Sequence, residues 1–354
     1  MNSKERVLRA VEHKPGDRMP ITFDAQKEVY ETLYRHFGIK EKEKLFNNLN
    51  VDTWMILPKH FSFPAEEDKK QDKTSWWGYK SRVTPYSGGT YEENYYFPLA
   101  GIDELSELKK HKWPKNDFLD FSHFKAQAKA HEDRAVIGCF TWGAYFIASM
   151  IRGMEDLMID MVARKECADY LIKTISEISE YQLTKMLEQH GEGIDIVYMA
   201  DDTCSQLAPL FSPETFNEFV APYLKKFTGL VHKHNKKFLL HTCGSVRAFL
   251  PSIIECGVDM LEPIQISAEG MEPAGLKRDF GKDICFYGGV DLQKVLSTYS
   301  PEKVADEVKR LIDILGKDGG YIVGPGHTYI QPDTPVKNIL SMYKTANEYR
   351  PYKI

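Results

Sequence analysis

The sequence has no paired-cysteine framework. Its six cysteines, at 139, 167, 204, 243, 256 and 285, are scattered over 354 residues. Disulfides are therefore not expected to hold the fold, and a chain this long buries enough core without them. No apolar run approaches the ~20 residues that a membrane-spanning helix needs. The opening stretch, MNSKERVLRAVEHKPGDR, is polar and lacks the apolar core of a secretory signal. These absences predict a cytoplasmic protein with reduced thiols and no membrane partner. Charge of one sign is also scarce. The net charge is −5 and no basic block stands out, which argues against a nucleic-acid partner. There is no repeat of fixed period, no low-complexity tract and no sign of a second domain. Residues 1–354 are expected to form a single unit.

What is present is a rhythm of short apolar runs. RMPITFDA (18–25), VDTWMILP (51–58), RAVIGCFT (134–141), GIDIVYMADD (193–202), KKFLLHTCG (236–244), VDMLEPIQ (258–265), DICFYGGV (283–290) and GGYIVGPGH (319–327) follow one another with helical stretches between them. Their hydrophobicity is continuous rather than alternating, which suits parallel strands covered on both faces. The stretch from 212 to 235 predicts a helix capped by Ser212, with Pro213 at its first position and Phe216, Phe219 and Leu224 near helical spacing. The stretch from 300 to 316 repeats the device, with Ser300, Pro301, a stripe of Val304, Val308, Leu311 and Ile312, and a closing Gly316. Eight strands alternating with helices predict an α/β fold of the TIM-barrel, (β/α)₈, type. An open doubly wound sheet is the alternative, but no Gly-rich dinucleotide loop follows the first strand. Between strands two and three, at about 70–100, lies an aromatic, Gly-punctuated stretch that predicts inserted hairpins.

Active sites of such barrels form at the C-terminal ends of the strands. There the sequence places Asp24, Trp142, Asp201 and Asp202, Cys204, His241 and Cys243, Glu262 and Gln265, Asp291 and His327. His241 and Cys243 are two apart on a strand, so they share a face. An imidazole and a thiolate suit Zn²⁺. Packing is the competing explanation for such a pair. A zinc site needs a third protein ligand. His327, across the barrel mouth, is the leading candidate, with Glu262 and Cys204 in reserve.

The stretches DDTCSQLAPLFSPETFNEFVAPYLKKF, LLHTCGSV, GVDMLEPIQ, GGVDLQKVL and GGYIVGPGHTYIQPDTPVKNILSMY, with HKPGDRMP near the start, resemble the uroporphyrinogen decarboxylase superfamily. The nearest likeness is to its corrinoid-dependent methyltransferase branch. The resemblance implies a (β/α)₈ barrel. In the methyltransferases it also implies zinc held by a His-x-Cys pair and a later cysteine. His241 and Cys243 match the pair, whereas His327 stands at the position of the later cysteine.

The expected function is zinc-dependent methyl transfer between a small O- or N-methylated substrate and a corrinoid (cobalamin) carried by a partner protein. Asp201, Asp202 and Glu262 are the expected catalytic carboxylates, with alternation sending only one of the two aspartates into the pocket. Asp24, Trp142, Gln265 and Tyr96 are expected to bind substrate. Trp76, Trp77, Tyr91 and Tyr95 either line the rim or pack the insertion. Asp291 either faces the site or caps the next helix. A homodimer is a reasonable assembly on the resemblance. Two alternatives are a cofactor-free decarboxylase and a non-enzymatic corrinoid- or tetrapyrrole-binding accessory protein. The first is disfavoured by the residues after strand one, which carry no early arginine to hold a polycarboxylate, Arg18 lying before the strand.

Overall fold

The computed structural model describes residues 1–350 apart from 68, 87 and 88. Strand β1 (Thr53–Ile56) is followed by β2 (Asp72–Thr74), β3 (Lys80–Tyr86) and β4 (Gly89–Tyr96). Then come β5 (Ala135–Trp142), β6 (Ile196–Ala200), β7 (Lys237–His241), β8 (Met260–Glu262), β9 (Cys285–Tyr287) and β10 (Tyr321–Ile322). The main sheet runs β1-β5-β6-β7-β8-β9-β10, and every neighbouring pair is parallel.

The first predicted strand is reduced to bridges, yet it occupies the gap between the two ends of this sheet. Ile21 pairs in parallel with Val323, and Ala25 with Ile330. On its other side, the Asp52 amide donates to the Ile21 carbonyl at 2.8 Å. Pro20 has no N–H to give to a ladder, so regular pairing is interrupted at the strand's start. The result is a TIM-barrel-like ring. Local chain chemistry also shortens the later strands. Pro263 follows β8, and Gly288 and Gly289, at φ +90° and +111°, follow β9. Neither arrangement extends a strand.

The strands are covered on both faces, as their unbroken hydrophobicity predicts. Ala135, Ile137 and Cys139 of β5 point into the barrel, with Tyr198, Leu239, Met260 and Tyr287. Val136 and Phe140 belong to the layer under the helices. The helix Ser3–Val11 adds Val7, Ala10 and Val11 to the interior group.

The helix expected over 212–235 is two helices. Ser212 caps the first, Pro213–Phe219, by accepting from the Thr215 amide at 3.2 Å. The second runs Ala221–Lys233 and carries Pro222 in its first turn. A proline there offers no amide to the preceding turn, so the break falls at Val220. The helix Pro301–Leu315 is continuous, with Val304, Val308, Leu311 and Ile312 fully buried and Gly316 at its C-cap.

The insertion is a three-stranded antiparallel sheet, β2-β3-β4. Trp77 is buried against Trp113 and Phe118. Trp76 donates its indole N–H to the His60 carbonyl and leans on Phe118. Both tryptophans therefore pack the insertion, while Tyr91, Tyr95 and Tyr96 stay exposed. No helix among the described residues is long and apolar enough to cross a membrane.

Candidate metal centre

His241 is the last residue of β7, and Cys243 follows two positions later on the same face. Gly244, at φ +94°, then turns the chain, with its amide donating to Gln265 Oε1 at 3.0 Å. His327 arrives from the segment after β10. The two imidazole rings meet edge-on, with centroids 5.8 Å apart. One ligand atom from each of His241, Cys243 and His327 lies within 4.8 Å of the other two. Two imidazoles and a thiol, with no fourth ligand in the cluster among the described residues, match the donor set of a catalytic zinc site that keeps one position open.

The surroundings orient this set. Glu262, at the end of β8, places Oε2 2.5 Å from Nδ1 of His241. That contact leaves Nε2 facing the cluster. Thr328 braces the pair, its hydroxyl 3.2 Å from His241 Nδ1 and 3.3 Å from Glu262 Oε1. Asp202 stands on the other side, with Oδ1 3.5 Å from His241 Nε2 and accepting from the Cys243 amide at 3.3 Å. Burial works against a charged His241, but Glu262, Asp202 and Cys243 outweigh it and raise its pKa well above that of a free imidazole. Burial, and then the neighbouring His241, lowers the pKa of His327. Burial also pushes the Asp202 carboxyl up, yet its contacts with His241 and Cys243 bring it below the usual value.

The adjacent aspartates divide as alternation requires. Asp202 faces the cluster. Asp201 is 3% exposed and committed elsewhere. It accepts from the Phe146 amide at 2.8 Å and from the Tyr223 hydroxyl, and so caps the helix Ala144–Arg152. Gly143 lets it approach, since a Cβ there would lie 2.0 Å from the Asp201 Cγ. Burial pushes the Asp201 carboxyl up to about 7, against those two hydrogen bonds. This geometry gives Asp201 a structural use rather than a place beside the ligands.

The other expected residues also separate. Asp24 lines a cavity that reaches His327 and Glu262. Gln265 and His327 line a second recess of about 230 Å³. Asp291 shares that recess, but its Oδ1 accepts from the Lys294 amide at 2.6 Å and caps the following turn. Trp142 packs on Phe61 and Phe146. Cys204 is buried and outside the ligand cluster. Tyr96 lies on the inserted sheet, exposed, with Lys80 over its ring, and lines neither of these cavities. Sequence reasoning missed Thr328, whose only signal was its place after His327. It also missed Lys42, which lines the same cavity as Asp24 but sits in an ordinary charged helix start.

Residues 86–349 match the family model described as "Uroporphyrinogen decarboxylase (URO-D)". Methylcobamide:CoM methyltransferase MtaA of Methanosarcina barkeri (strain Fusaro) is 27% identical over 225 residues, covering 62% of this chain and 60% of that protein. Methylcobamide:CoM methyltransferase MtbA of Methanosarcina acetivorans is 23% identical over 208 residues, covering 59% of this chain and 57% of that protein. The matches thus span about 60% of the length of these relatives. A solved methyltransferase from Methanosarcina mazei superposes with a TM-score of 0.66 at 19% identity, covering 98% of this chain and 99% of that one. At that identity it supports the barrel alone. The strand order, the match over 86–349 and the two methyltransferase relatives agree, and the chain belongs to the uroporphyrinogen decarboxylase (URO-D) family.

Proposed function

We propose that this protein moves a methyl group between a small O- or N-methylated substrate and a corrinoid carried by a partner protein, at a zinc ion held by His241, Cys243 and His327. The observation that carries the reading is the convergence of those three ligand atoms within 4.8 Å at the barrel mouth. The activity that names the two relatives, methylcobamide:CoM methyl transfer, supports the corrinoid half of it. A zinc ion in this place supplies Lewis-acid chemistry, withdrawing charge from a heteroatom that carries a methyl group or stabilising a thiol as its conjugate base. Glu262 engages Nδ1 of His241, which would leave Nε2 to hold the ion, the outer-shell arrangement typical of metal-bound histidine. Asp202 accepts from the Cys243 amide and stands 3.5 Å from His241 Nε2, and so braces both ligands.

Cofactor-free decarboxylation of a polycarboxylate would need several cationic side chains at the mouth, where the cavity beside Glu262 and His327 has one lysine, Lys42, in its wall. Arg18 is instead bound to Asp52 at 2.6 Å, where the strands begin. The test has two arms. Metal analysis should find about one zinc per chain, lost in His241→Ala, Cys243→Ser and His327→Ala. Incubation with a cobalt(I) corrinoid protein and methylated substrates should yield methylcobalt by its absorption change. Zinc at full occupancy in all three variants would end the metal reading. No methyl transfer to or from the corrinoid would end the functional one.

A further inference from the structure

The cavity that starts at His327 is narrow, about 30 Å³, with Glu262 and Thr328 in its wall. That is the space of one water or one methyl-sized group. Outward it meets a recess of about 500 Å³, and Asp24, Lys42 and Met55 line both. The rest of the recess is aromatic and apolar at Tyr30, Tyr34, Leu57 and Tyr329, with Lys27 and Glu31 at its exposed edge paired to each other at 3.7 Å. Lys42 begins the helix Lys42–Leu49. Its Nζ stands 5.0 Å from the Phe46 ring centre and 4.9 Å from that of Trp54. Among the described residues it makes no ion pair or hydrogen bond, and Asp24 acts on it only at longer range. Burial lowers its pKa, against that attraction. The Asp24 carboxylate is occupied by the Ala25 amide at 2.8 Å and the Tyr30 hydroxyl at 3.2 Å. A desolvated ammonium without an acceptor is costly, and an incoming anion would relieve that cost.

We propose that this recess binds the body of a ring-sized organic carboxylate, its charge paired with Lys42 and its small uncharged end directed through the narrow cavity toward His327. The proposal rests on the metal centre for what that end meets, but not for the binding itself. Aromatic walls accept a flat apolar body. At about 30 Å³ the inner cavity is too small to admit a ring. Lys42 is then the residue that selects charged over uncharged substrates.

Benzoate and benzamide, alike in shape and different in charge, are the probes, titrated calorimetrically into the zinc-loaded protein. Benzoate should bind at least tenfold tighter than benzamide. Lys42→Met should abolish that preference while leaving zinc content unchanged and the melting temperature no lower, and Lys42→Arg should retain most of it. The zinc-free Cys243→Ser variant should keep the preference, so failure of the metal reading leaves this one standing. Equal binding of the two probes, binding of neither, or an unchanged preference in Lys42→Met would overturn the proposal. So would loss of benzoate binding in Cys243→Ser, which would put the carboxylate on the metal instead.

Discussion

Glu262 offers the sharpest test of how the barrel tunes its metal ligands. Its Oε2 lies 2.5 Å from His241 Nδ1, and the pair is buried at the end of β7 and β8. The carboxylate does two things. It fixes which ring nitrogen is free, and its charge makes that nitrogen a better donor. Glu262→Gln keeps an acceptor oxygen but removes the charge. Glu262→Ala removes both and leaves only the Thr328 hydroxyl, 3.2 Å from the same nitrogen. Outer-shell losses of this kind weaken metal binding by about 10–100-fold. Converted at 1.4 kcal/mol per decade, that is about 1.4–2.8 kcal/mol. The glutamine variant should fall near the tenfold end and the alanine variant near the hundredfold end. Competition for zinc against a chromophoric chelator at pH 7 measures both. A zinc affinity within twofold of the parent protein in Glu262→Ala would refute the reasoning, because the ring would then be oriented without its carboxylate.

Two further outcomes follow from the structure. Burial pushes the Asp24 carboxyl up to about 6, partly countered by Lys42, so the folded state keeps a proton that the unfolded chain has already lost. Stability should therefore fall as pH rises from about 4 to about 6 and level off above, by about 3 kcal/mol from this group. Asp24→Asn should remove that slope in urea titrations across the window, and parallel curves for the two proteins would count against it. Gly244→Ala places a Cβ 2.4 Å from the Ser205 carbonyl oxygen in a residue at φ +94°. Strain and overlap together should cost about 2–4 kcal/mol in chemical denaturation, with zinc occupancy reduced because the turn sets Cys243; a midpoint equal to the parent's would show that the turn relaxes freely.

Much of this protein was legible in order of residues alone. Strands buried on both faces leave unbroken apolar runs, so VDTWMILP, RAVIGCFT and the five later runs announced a parallel barrel. The two-residue period of a strand puts His241 and Cys243 on one face, and the resemblance points to His327 as their companion. Alternation also meant that only one of Asp201 and Asp202 faces the mouth, but the sequence did not say which. Closure decided that. The Asp201 carboxylate meets the N-terminus of the helix Ala144–Arg152, and Gly143 makes the room. Tertiary structure likewise thinned the first strand to two bridges, sent Trp76 and Trp77 into packing, and carried Tyr96 away from the cavities. It also brought Lys42, from a helix start with no local signal, to the edge of a cavity that ends at His327. Local pattern reports which face of a segment is covered. Only the ring of strands, by joining residues 24, 42, 241, 262 and 327 through space, determines what that face covers.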